Sequence, residues 1–113
     1  PKSQRISGIV IDARENAVDP SMSPEVIDMQ GNLVYGTISY SRSKAVNRGP
    51  VGYAYSMDDR NVSQRVGANP LFVEAVGSLD DDVYITSMDA AKVRDAEKSF
   101  GVLSNCRVML LLQ

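Results

Sequence analysis

The sequence predicts an α+β domain built on one mixed or mostly antiparallel sheet of about five strands, with two to three helices packed on it. Three stretches carry that expectation. Residues 86–100 read as a capped amphipathic helix, residues 106–112 as a strand covered on both faces, and Gln30-Gly31-Asn32 as the turn of a hairpin between apolar arms. Strands and helices follow one another without a regular βαβ repeat.

Residues 5–13 place Ile6, Ile9, Val10 and Ile11 around Gly8, a β-branched run that predicts a first strand with Asp12 at its exit. A glycine inside such a run marks a bulge or the close approach of another backbone. From 14 to 25, Asp19, Ser21 and Ser23 with Pro20 and Pro24 break both periodicities, which predicts a long loop of the kind that often carries function. Residues 26–29 and 33–35 then flank Gly31-Asn32, a pair that tolerates the positive φ angles of a tight hairpin, and the second arm runs on to Tyr40. Ser41 or Ser43 is placed to cap a short helix over 44–48, ended by Gly49-Pro50.

A short strand is expected over 51–55, and Ser56 is the expected cap of a helix over 57–66 with Asp58 and Asp59 in its first turn and Gly67 at its end. Residues 71–76 read as a strand, 77–82 as a turn and 83–86 as a further strand. Thr86 and Ser87 offer side-chain oxygens to the free N–H groups of a helix start, and Asp89 stands where a capping box wants an acid. Ala90, Val93, Ala96 or Glu97, and Phe100 line one stripe, opposite Asp89, Lys92, Asp95 and Lys98. Gly101 closes the helix. Beyond it Val108, Leu110 and Leu112 alternate with Met109 and Leu111, so both faces are apolar and the strand is expected to be central. Val93 and Leu110 are expected to meet across the helix-to-sheet contact.

A chain of 113 residues is one domain, long enough to hide about two thirds of its unfolded surface. Twelve Lys and Arg against fourteen Asp and Glu leave a net charge of −2 with no basic cluster, which speaks against nucleic acid as a partner. No apolar run approaches the roughly 20 residues that a helix needs to span a bilayer. One cysteine excludes an internal disulfide, and the absence of histidine puts the usual zinc and triad arrangements out of reach. An opening of Pro1-Lys2-Ser3, without methionine or an apolar signal, reads as a mature or excised fragment, residues 1–113 forming one module of a longer protein.

Ser41-Arg42-Ser43-Lys44 matches Ser-x-x-Lys, in which a lysine activates a serine nucleophile, but its companion elements are missing and a polar helix start is the plainer reading. Asp80-Asp81-Asp82 cannot turn three adjacent carboxylates onto one calcium ion and is read as a solvated turn. The sequon Asn61-Val62-Ser63 falls inside a predicted helix. Asp12, Arg14, Glu15 and Asp19 cluster after the first strand; acid and base roles need a raised pKa, whereas Asp12 paired with Arg14 simply holds the loop. Tyr35, Tyr40, Tyr53, Tyr55 and Tyr84 on strand-like segments offer either a binding face or, the plainer reading, ordinary sheet residues, and Cys106 reads as a buried, inert thiol. The residues therefore mark no catalytic group, no metal site and no cofactor. Asp12, Arg14, Val18 and Met22 remain as a candidate interaction loop, with Val18 and Met22 as its exposed apolar residues. The alternative is a small ligand-binding or hydrolytic domain using the loop from Asp12 to Asp19.

Four segments together carry a resemblance: Gly8-Ile9-Val10-Ile11-Asp12-Ala13-Arg14; Met22-Ser23-Pro24 through Asp28 and Gly31 to Val34-Tyr35-Gly36; Asn69-Pro70-Leu71 with Ala75-Val76-Gly77; and Asp89-Ala90-Ala91 to Cys106-Arg107-Val108. In order and spacing they resemble the C-terminal domain of bacterial envelope lipoproteins associated with flagellar assembly and motility, the outer-membrane flagellar lipoprotein P type and its uncharacterised relatives. Glu15-Asn16-Ala17 departs from that pattern, where a more apolar, glycine-containing stretch is expected. The resemblance implies a periplasmic, outer-membrane-associated module, tethered by a lipid on a cysteine outside this sequence. It further implies assembly with protein partners or with further copies into a ring, and no catalysis.

Overall fold

The computed structural model describes residues 5–20, 24–36, 39–40, 46 and 49–113. Along the chain run β1 (Gly8–Asp12), β2 (Val26–Asp28), β3 (Leu33–Tyr35), β4 (Gly52–Ala54), α1 (Arg60–Val66), β5 (Pro70–Glu74), β6 (Gly77–Leu79), β7 (Asp82–Ile85), α2 (Ser87–Phe100) and β8 (Val108–Leu111). The class is α+β, as the periodicities predict. The strands, however, form two four-stranded sheets in place of one sheet of five.

The first sheet has the order β4-β8-β1-β5, and every pair in it is parallel. The second has the order β3-β2-β7-β6, with β2 and β7 parallel and an antiparallel hairpin on either side. Two features account for the difference, the second of which the sequence did not announce. A helix crossover returns the chain in the same direction, and α1 does this between β4 and β5. In addition, residues 77–79, expected to be turn, pair with β7 through Gly77↔Tyr84 and Leu79↔Asp82 and so form β6.

The last strand is central, between β4 and β1, and all four of its residues are buried. Its pleat divides two cores. Ile9, Ile11, Val108 and Leu110 face the main core with Val26, Val83 and Ile85 of the second sheet and Ala90, Val93 and Ala96 of α2. Val10, Met109, Leu111 and Ala54 face a second cluster with Val62 and Val66 of α1. Val93 and Leu110 thus share one core, while α2 rests chiefly on β2 and β3. Gly8 proves to be a close approach: a Cβ there would lie 2.6 Å from the Val66 Cα, so α1 sits directly on β1.

Local chemistry sets the helix ends. Thr86 Oγ1 accepts the Asp89 N–H at 3.1 Å, and Gly101, at φ 67°, closes α2 by donating its N–H to the Glu97 carbonyl. For α1 the cap is Asp59 and not Ser56: Asp59 Oδ1 accepts the Asn61 N–H at 2.8 Å, while the Ser56 hydroxyl is taken by the Asp58 N–H one turn earlier. The hairpin turns at Gly31, φ 87°, and β3 ends at Tyr35. The expected extension to Tyr40 does not form at its described residues, because the chain turns after Tyr35 and the Ser39 N–H donates to the Gly36 carbonyl at 2.9 Å; residues 37–38, the short helix over 44–48 apart from Val46, and the Ser41 and Lys44 pair lie outside the described residues. Cys106 is fully buried, as its apolar setting predicts, with an unexpected left-handed φ of 58°. Among the described residues no helix is long and apolar enough to cross a membrane.

Candidate interaction site

Because the first sheet is parallel throughout, the C-terminal ends of its four strands meet at one end of the molecule, the usual place for a site in such sheets. The loop that follows β1 leaves from there. Asp12 receives both arms of the Arg14 guanidinium, Nε and a terminal nitrogen each at 2.9 Å, together with the Arg14 backbone N–H at 3.0 Å. Hydrogen bonding from Arg14 holds the Asp12 carboxyl below its ordinary pKa despite partial burial, and Asp12 in turn raises Arg14. A general acid needs the opposite shift.

Beyond Arg14 the loop is fastened to the stretch that runs from the end of β5 to the turn after β6. Asn16 Nδ2 donates to the Ala75 carbonyl at 3.3 Å, the Ser78 hydroxyl to the Ala17 carbonyl at 2.6 Å, and the Asp19 N–H to the Asp80 carbonyl at 2.9 Å. Between this loop and the strand ends lies an open groove of about 320 Å³, lined by residues 16–20, Tyr55, Leu112 and Gln113. Val18 is half-buried and packs against the main core, so it anchors the loop and is not the exposed apolar residue expected. Met22 lies outside the described residues. The exposed apolar surface at this end comes from Tyr55, 70% exposed and one of the five tyrosines weighed as a binding face, and from two residues the sequence did not single out, Val76 and Leu79, at 50% and 61%, beside the points where the loop is fastened.

Residues 8–113 match a family model described as Treponema pallidum Tp0624, second domain. The chain belongs to this family. No curated protein matches it.

In this member of the Tp0624 second-domain family the matched span opens on the first residue of β1 and takes in every strand and helix described. Within it, one polar cluster escaped the reading of the sequence. Asp28 is the buried charged residue of the core, 2% exposed; its carboxylate accepts the N–H groups of Gln30 and Asn32, each at 2.9 Å, and the Arg94 guanidinium at 3.2 Å. The Asn32 and Gln30 bonds, opposed by burial, hold its pKa below the ordinary value, with Arg94 adding to the effect. An aspartate directly before a glycine turn is the available signal, because its side chain caps the turn's own N–H groups. The tyrosines divide: Tyr35 is buried and donates to the Pro50 carbonyl, with burial pushing its phenol well up, whereas Tyr55 is open to solvent. Asp80-Asp81 forms the hairpin turn between β6 and β7, with Asp82 the first residue of β7, and no metal-ligating group of three occurs among the described residues.

Proposed function

We propose that this domain is a non-enzymatic assembly module of a bacterial envelope protein and docks a protein partner at the C-terminal end of its first sheet. One observation carries the reading. The carboxylate best placed for chemistry, Asp12, is consumed by a two-armed pair with Arg14, while the surface left open around the fastened loop is apolar, at Tyr55, Val76 and Leu79. Aromatic and aliphatic side chains on rigid strand ends anchor protein interfaces. Membership of a family described from a Treponema protein is consistent with a bacterial envelope domain. The resemblance to motility lipoproteins supports a periplasmic, outer-membrane-associated place near the flagellar motor, with further copies or another envelope protein as partner. Contacts that are weak in isolation become effective when a tether raises local concentration.

The test uses the full-length protein in its own cell. Tyr55→Asp with Leu79→Asp leaves the core and the loop fastenings intact, so the variant is expected to be folded and exported while its crosslinks to partners, and motility, decline. Unchanged crosslinks and motility would sink the docking surface. A specific small molecule bound between Asp12 and Asp19 in the purified domain would favour the ligand-binding or hydrolytic alternative.

A further inference from the structure

At the opposite end of the same sheet, where β1 and β8 begin and α2 ends, lies a second notch of about 210 Å³, lined in part by Arg5, Ser7, Phe100, Val102, Asn105 and Arg107. Two of these are arginines, and no lining residue is a carboxylate. Among the described residues the ion pairs are Arg14 with Asp12, Lys92 with Asp89 and Arg94 with Asp28, so neither Arg5 nor Arg107 has an acidic partner. In a chain with more acids than bases, two uncompensated guanidinium groups in one notch form a local reversal of charge.

The Arg5 side chain and the Arg107 backbone are also held. The Arg5 guanidinium lies 5.3 Å above the centre of the Phe100 ring, and its carbonyl accepts Asn69 Nδ2 at 2.9 Å. Arg107 is fixed through its backbone on both sides, donating to the Val102 carbonyl at 2.9 Å and accepting the Ile9 N–H at 2.8 Å. The neighbouring polar donors are engaged already: the Ser7 hydroxyl donates to the Val66 carbonyl at 2.6 Å and Asn105 Nδ2 to the Gly101 carbonyl at 2.8 Å. What the notch offers a ligand is therefore two planar, always-charged forks, one stacked on Phe100 and one carried on a fixed stretch of backbone, beside an apolar wall of Phe100 and Val102.

We propose that this notch binds a phosphate monoester carried on a small organic group. Two positive charges match a dianion better than the single charge of a carboxylate, each fork suits a pair of phosphate oxygens, and the volume leaves room beside the phosphate for the group that bears it. The site is independent of the docking surface at the other end.

The experiment follows amide shifts of the domain at constant ionic strength in titrations with glycerol 3-phosphate, inorganic phosphate and acetate. Vesicles of phosphatidylcholine with and without phosphatidic acid form a second arm. Saturable shifts centred on Arg5, Asn105 and Arg107, in the order glycerol 3-phosphate, phosphate, acetate, are expected, with a loss of about tenfold or more in Arg5→Gln/Arg107→Gln. Arginine-dependent binding of the soluble ester assigns a free ligand, and binding that depends on the arginines only on phosphatidic acid vesicles assigns a headgroup. Acetate binding as well as the esters, an unaltered double variant, or no saturation in either arm would overturn the proposal. Should the double variant fail to fold, the parent's shifts decide alone: shifts that map away from the notch reject it.

Discussion

At the C-terminal end of the parallel sheet Asp12 and Arg14 face one another with both arms engaged, and the loop beyond them is fastened at three points along residues 75–80. At its N-terminal end Arg5 and Arg107 stand in a notch with no acid among its lining residues. The first end has spent its charge internally, so a partner that covers it need not desolvate an isolated ion. The second keeps an unspent field that only a negative group can answer. On the two proposals made above, the ends of one sheet take different kinds of ligand, a protein surface and a small anion, for reasons that lie in pairing and not in fold.

The largest expected effect removes the floor that both ends share. Leu110 is fully buried in the main core beneath the first sheet, and Leu110→Ala is expected to cost about 2–5 kcal/mol, read as a lowered denaturant midpoint. An unchanged midpoint would place Leu110 outside the core. Next, Gly8→Ala forces a methyl against the Val66 backbone and should cost about 1–3 kcal/mol through overpacking, with amide shifts concentrated near Ser7 and the notch and few at the Asp12 loop.

The smallest effect sharpens the comparison most. Arg14→Gln should destabilise the domain modestly near neutral pH, whereas Arg107→Gln should stay within about 0.5 kcal/mol of the parent, because it breaks no pair. The pH dependence gives the sign. Asp12 has a folded pKa below its ordinary 3.8, so its stabilising contribution is complete above that value and is lost as pH falls through the folded pKa. Asp28 behaves in the same way. The Arg14→Gln penalty is therefore expected to shrink in acid, and a penalty independent of pH would dissociate it from Asp12.

How much of this was legible follows the distance over which each feature is decided. Helix α2 could be read to the residue, because Thr86, Asp89 and Gly101 act within a turn of their own positions. The Asp12 and Arg14 pair is separated by two residues and was equally open to reading. Strand β6 was not: Gly77-Ser78-Leu79 has turn composition, and only its pairing with β7 makes it extended. Near α1, Ser56, Asp58 and Asp59 are all suitable caps, and the choice among them rests on where the chain leaves β4. Val18 points inward because the loop is fastened around it, which no local pattern states. Arg5 and Arg107 come together only because β1 and β8 are parallel neighbours, a fact of register between distant segments.

The position of β8 also has a consequence for the order of events in folding. It is the last of the eight strands among the described residues, yet it fills the gap between β4 and β1, in register at Tyr53↔Leu110 and Ile11↔Leu110. Until it arrives, β1 and β4 lack the neighbour they share, and each carries an unsatisfied row of backbone groups. Such a chain cannot complete its sheet progressively from the N-terminus; it must wait with an open slot and then close loops of high sequence separation, which slows folding and leaves strand edges exposed to wrong partners.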